Sequence, residues 1–156
     1  MRLWRISNYA DLSGEGARRA EGRWHERGQR VVYLAEHPAL ALLEVLVHLE
    51  IDTNDLPANY QLLEVETEDV PVEEAPREEL DRGAPGWERD SSISRRYAKQ
   101  WLAEQQAALL RIPSIVLPRA WNFLLNPTHP DAGRIRIVSA ARAEYDRRLF
   151  SGARMP

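Results

Sequence analysis

The segment from Arg30 to Leu49, "RVVYLAEHPALALLEVLVHL", constrains the fold most, because a strand pattern gives way to a helix pattern across only Glu36 and His37. Arg30 to Ala35 is β-branched and aromatic and follows a turn at Gly28, which reads as a strand. Pro38 suits the first position of a helix, where its missing N–H would lack an intrahelical partner anyway, although neither Glu36 nor His37 is a favoured capping type. From Pro38 to Leu49 the helix is apolar except at Glu44 and His48 and reads as the most deeply buried of the chain. A carboxylate in such a setting is costly without partners. Either Glu44 lies on a wet stripe or the helix serves to hold it at a site.

The remaining elements follow from the same periodicities. Leu3 to Ile6 and Tyr60 to Glu66 read as strands, and Gly14 and Gly16 as a loop able to approach a ligand closely. Thr67 to Trp87 is acidic and has no sustained period, so it reads as a peripheral connection. Asp90 to Leu110 reads as a long helix: Asp90 to Ser92 offer caps, and Ile93, Tyr97 and Trp101 form a core-facing stripe. Arg111 to Pro118 and Arg134 to Ser139 read as strands around the turn-rich "NPTHPDAG", in which Asn126 braces the turn and His129 is a turn residue, and "YDRRLF" as a short edge strand. Short strands interrupted by two helices, without regular βαβ alternation, predict an α+β domain spanning residues 1–156.

Composition narrows the chemistry. The 156 residues include no cysteine, which excludes disulfides, thiolate nucleophiles and cysteine-ligated metals. A net charge of −3 gives no broad electrostatic footprint for nucleic acid or anionic lipid, although Arg18, Arg19, Arg23, Arg27 and Arg30 form a local basic cluster. Arg2 and Arg5 interrupt any apolar run at the N-terminus, and no run approaches the ~20 residues that span a bilayer, so a cytoplasmic protein without membrane contact is expected.

Three residues suggest a site. Arg23 in "GRW", Tyr33 in "VVYLA" and Glu44 in "LLEVL" would converge on one cleft if strands carrying Arg23 and Tyr33 pair beside the helix. A guanidinium grips phosphate, a phenol ring stacks on a heterocycle, and a carboxylate stabilises a developing cation. Each also has a plain structural reading: a surface carboxylate, a core aromatic and a loop cation. Ser114 reads equally as a strand hydroxyl. His48 shares a helical face with Glu44, but two such groups without a third do not make a metal site.

Taken in order, "GRW", "VVYLAEHPALALLEVLVHL", "IPSIVLP", "NFLLNPTHPD" and "RRLF" resemble the RES domain, the toxin half of bacterial RES–Xre toxin–antitoxin pairs. The resemblance spans nearly the whole chain and weakens between Thr67 and Asp90. It implies an ADP-ribosyltransferase-like fold, a split mixed β-sheet core with flanking helices. It further implies NAD as substrate, catalysis by Arg23, Tyr33 and Glu44, and NAD binding by Arg5, Arg23, Tyr33 and Ser114, with no metal. The bond broken is that between nicotinamide and ribose, the acceptor being water, phosphate or a protein target of ADP-ribosylation. The implied partner is an Xre-like helix-turn-helix antitoxin that covers the active site, leaving no direct contact between toxin and nucleic acid. Two alternatives stand beside this: a toxin ribonuclease using Arg23, His25 and Tyr33, which the acidic balance disfavours, and a non-catalytic module whose "EVLVHL" helix docks a partner.

Overall fold

The structure is a computed structural model and describes residues 1–48 and 59–150. Its described strands form one mixed seven-stranded sheet in the order β4-β5-β6-β2-β1-β3-β7. These are β1 (Arg2–Ser7), β2 (Val32–Ala35), β3 (Asn59–Thr67), β4 (Val72–Glu74), β5 (Leu109–Pro113), β6 (Trp121–Leu125) and β7 (Ile135–Glu144). Only β4 and β5 run parallel; the other neighbours are antiparallel. The helices are α1 (Glu15–Arg19), α2 (Pro38–His48), α3 (Arg77–Gly83) and α4 (Ser91–Glu104).

The sheet is nearly parted at its centre. β1 shares a full register with β3 but meets β2 only at Trp4 and Ala35. Past that pair the Tyr33 carbonyl accepts a hydrogen bond from Arg5 Nη1 at 3.2 Å, so a side chain occupies the gap between the two strands. Helix α2 packs across both β1 and β2 and so lies over the split.

Each sheet face has its own core. On one, α4 and α3 bury Trp24, Trp87, Trp101, Leu110, Ile112 and Leu124, with Trp87 and Trp101 fully enclosed. Truncating either tryptophan would cost about 3–5 kcal/mol. On the other, Leu3, Val32, Leu34, Val65, Phe123 and Leu125 pack with Leu12, Val70, Ala132 and Ile137 from loops and strand ends.

Several expectations need correction. Arg23 lies on a bend and not on a strand paired with β2; its loop is pinned to α4, where Ser94 Oγ donates to the Arg23 carbonyl at 2.5 Å and Arg95 Nε to the Gly22 carbonyl at 2.7 Å. Helix α4 stops at Glu104 because Gln105 turns left-handed at φ 49, and Leu109 and Leu110 belong to β5. The residues after Pro113 form the β5–β6 loop, and "WNFLL" is a strand that its sequence did not announce. The acidic connection contains β4 and α3, and the glycine loop gives way to α1. β2 begins two residues later than expected, and β7 continues to Glu144. "YDRRLF" forms a 3₁₀ turn at Arg147–Leu149 instead of an edge strand, since the Asp146 carboxylate accepts from Arg148 N–H and holds the chain curled.

Helix α2 is less deeply buried than its composition suggests: Leu40 and Ala41 are enclosed, whereas Leu43 and Val47 are 38% and 62% exposed. Leu49, the last residue of the expected helix, lies outside the described residues. The entry is capped after all, because His37 Nδ1 accepts from the Ala39 N–H at 3.1 Å.

Candidate active site

The partial separation of β1 from β2 opens a cleft of about 490 Å³, within the range typical of small-molecule sites. Arg5, Arg23, Tyr33, Glu44 and Asn122 line it, together with apolar side chains from α2, β1 and β5. Ser114 stands just behind, in contact with Glu44.

Glu44 is half-buried and braced. Its Oε1 accepts from Ser114 Oγ at 2.8 Å and from Asn122 Nδ2 at 2.5 Å. Ser114, 1% exposed, is itself fixed: its Oγ also accepts from the Leu117 N–H, and its carbonyl accepts from Arg77 Nη2. Ser114 therefore meets the cleft through Glu44. His48 turns away from that carboxylate, with Nδ1 donating to the Glu44 backbone carbonyl at 2.6 Å.

Tyr33 lines the cleft, and its hydroxyl is committed to two neighbours in the cleft wall. The oxygen accepts from the Trp24 N–H at 3.1 Å and lies 2.9 Å from His25 Nδ1. On the far side of that ring, Nε2 faces the Ala17 and Ala20 carbonyl oxygens at 3.1 and 2.9 Å. Carbonyls only accept, so Nε2 carries the proton and, in the neutral ring, Nδ1 accepts from the phenol. Burial pushes the Tyr33 hydroxyl up to about 12, an effect that the Trp24 N–H and the charges of Arg95 and Arg23 only partly oppose. His25 is 4% exposed with both nitrogens occupied, which removes it as an acid or base for phosphoryl transfer.

Among the described residues, the two cleft arginines each bury a donor without a partner, Nε of Arg5 and one Nη of Arg23. Burial also lowers the Arg5 guanidinium from its usual value, with Asp11 partly opposing this. A buried N–H left unmade costs about 1–3 kcal/mol, and more on a charged group, so two buried cations in the cleft wall favour an anion beside them.

Sequence reasoning passed over Gly22, Ser94, Arg95 and Asn122. Their partners lie 71 to 78 residues away in three cases, and no local pattern encodes such contacts. Gly22 had a signal in the glycine of "GRW": a Cβ there would sit 2.5 Å from His25 Cε1 and 2.9 Å from the Tyr33 hydroxyl.

A cleft at the split of a mixed sheet, lined by an aromatic ring, a braced carboxylate and two guanidinium groups, has the chemistry to receive a ring-bearing anion beside an acid. The chain belongs to the RES domain family of toxins, which matches residues 2–147. It is 46% identical over 137 residues to Toxin Res of Pseudomonas putida, spanning 88% of this chain and 92% of that protein. To the Prs ADP-ribosylating toxin of a Sphingobium species it is 37% identical over 159 residues, spanning 97% and 98%. Among solved structures, the M. tuberculosis MbcT–MbcA toxin–antitoxin complex matches with a TM-score of 0.73 at 20% identity, over 98% of this chain and 88% of that one. This likeness establishes the α+β fold.

Proposed function

We propose that the chain is the toxin of a toxin–antitoxin pair and that it cleaves the bond between nicotinamide and ribose in NAD. The observation that carries this reading is the pairing of a braced Glu44 with the guanidinium groups of Arg5 and Arg23 in the lining of one cleft. The name of the Sphingobium relative, an ADP-ribosylating toxin, supports the same chemistry.

In this scheme the C1′–N bond breaks and its electron pair passes to the nicotinamide nitrogen, neutralising the pyridinium. The ribose is left oxocarbenium-like, and the nearby anion stabilises that charge more in the transition state than in the ground state. Glu44 Oε2 supplies the anion and holds a ribose hydroxyl. Tyr33 packs its ring against nicotinamide, and the guanidinium groups of Arg5 and Arg23 bind the diphosphate from the cleft wall. An acceptor oxygen from water, inorganic phosphate or a protein side chain bonds C1′ and releases its proton. No step needs a metal ion.

An antitoxin of Xre-like helix-turn-helix type would cover the cleft. The exposed Leu43 and Val47 on α2 support a protein cover, since Val47 also lines the cleft mouth. The MbcT–MbcA complex is a precedent for such pairing. Mass spectrometry of NAD incubated with antitoxin-free protein, with and without phosphate, tests the reading. Release of nicotinamide with ADP-ribose, its phosphate ester or a modified protein is expected; intact NAD under all conditions overturns it.

A further inference from the structure

We infer that Asn122 is a positioning residue that aims Glu44 at the substrate. The inference rests on the proposed role of Glu44 and concerns the side chain that holds it. Asn122 Nδ2 and Ser114 Oγ both donate to Oε1 of that carboxylate, at 2.5 and 2.8 Å, which assigns Oε2 to the ligand.

The two donors belong to one frame. Asn122 sits on β6 opposite Ile112 of β5 and Ala35 of β2, held in the ladder from both sides. Ser114 begins the loop that joins β5 to β6, and its backbone N–H donates to the Ala120 carbonyl at 2.9 Å. The β5–β6 hairpin thus presents a rigid pair of donors. Glu44, in contrast, rides on a helix that buries only Leu40 and Ala41, and its side chain has three rotatable bonds. Tethering one oxygen to the sheet selects a single rotamer across the gap between helix and sheet. Without the tether, the charge would sample positions displaced from the ribose by an ångström or more. Misplacement on that scale lowers rates by about 10²-fold.

Asn122→Leu keeps the volume and removes the donor, and Asn122→Ala provides a second variant should the first fold poorly. In nicotinamide release from NAD, kcat should fall about 10–100-fold, a larger factor than any rise in KM, because the diphosphate and nicotinamide contacts belong to Arg5, Arg23 and Tyr33. An asparagine that merely supported packing would leave kcat unchanged in folded protein. Thermal melting gives a second readout independent of turnover: the loss in Tm caused by Asn122→Leu should vanish in a Glu44→Ala background. Unchanged kcat in a folded variant, or Tm losses that simply add, overturns the proposal. If the wild type releases no nicotinamide, the NAD reading fails, and the melting cycle alone decides whether Asn122 holds Glu44.

Discussion

The Tyr33 hydroxyl sits between the Trp24 N–H and His25 Nδ1, at 3.1 and 2.9 Å, so both hydrogen bonds of the phenol are made within the wall of the cleft that its ring helps to form. A tyrosine arranged this way offers a ligand its face and not its proton. Stacking of an aromatic side chain on a nucleobase contributes about 1–3 kcal/mol, which sets the scale for losing the ring.

Tyr33→Phe should therefore keep NAD cleavage within about tenfold of wild type, whereas Tyr33→Ala should lower kcat/KM by roughly 5- to 150-fold. The phenylalanine variant would lose stability all the same, by about 1–3 kcal/mol, because the buried Trp24 N–H is left unpaired. Steady-state kinetics and urea unfolding check the two halves separately. Equal activity loss in both variants would mean that the hydroxyl takes part in the chemistry.

Alkaline unfolding should carry the signature of Tyr33. Its ionisation is raised to about 12 in the folded protein, against about 10 in an unfolded chain. The folded state thus disfavours the phenolate, and the associated stability is fully present below pH ~10 and is lost as pH climbs toward 12. Urea midpoints measured from pH 9 to 12 should fall more steeply for wild type than for Tyr33→Phe. Parallel curves would refute a buried phenol.

Glu44→Gln isolates charge from shape. The amide oxygen can still accept from Ser114 and Asn122, so the brace survives and Tm should change little. Removing a preorganised charge that acts in the transition state lowers kcat by about 10²–10³. Nicotinamide release at saturating NAD is the measurement, and wild-type turnover in this variant would remove the carboxylate from the mechanism.

Arg23→Ala should separate the two ends of NAD. If its guanidinium serves the diphosphate from the cleft wall, ADP-ribose binding weakens by a charge-assisted hydrogen bond, about 1.5–3 kcal/mol, while free nicotinamide binds as before. Calorimetric titration of the variant with each compound decides the matter. Weaker nicotinamide binding with unchanged ADP-ribose binding would move Arg23 to the opposite end of the cleft.

Much of this arrangement is legible in the sequence, and what is not has physical reasons. β1, β2, β3 and α2 follow from alternation, Pro38 and the apolar run, signals that operate within a few residues. The end of α4 is not legible because it depends on Gln105 adopting a left-handed backbone that glycine usually marks. α3 hides because its buried anchor is Leu80 alone amid charged neighbours. For the candidate site, the chemistry of Arg23, Tyr33 and Glu44 suggests a shared cleft from the sequence, whereas Arg5 and Ser114 enter only through the family resemblance, since no local pattern links them to it. Asn122 stayed hidden inside "WNFLL", where a lone polar residue in a strand says nothing about a carboxylate 78 positions earlier.

Gly22 offers the sharpest steric test of how the loop, the phenol and Arg23 depend on one another. A Cβ at this position would meet His25 Cε1 at 2.5 Å, His25 Nδ1 at 2.7 Å and the Tyr33 hydroxyl at 2.9 Å. The imidazole cannot swing aside cheaply, because Nε2 is held by two carbonyl oxygens and the ring is enclosed. Nor is the loop free to yield, with the Gly22 and Arg23 carbonyls bonded to Arg95 and Ser94 of α4. Gly22→Ala must then displace either the His25–Tyr33 pair or the Arg23 loop, at a cost of about 1–3 kcal/mol typical of overpacking. NAD cleavage should fall with it, since both displaced groups line the cleft. Adding His25→Ala removes the two shortest contacts and leaves the approach to the Tyr33 hydroxyl, so in the double variant Gly22→Ala should cost less stability than it does alone. A Gly22→Ala protein with wild-type Tm and turnover would show that the loop and phenol tolerate movement that this geometry forbids.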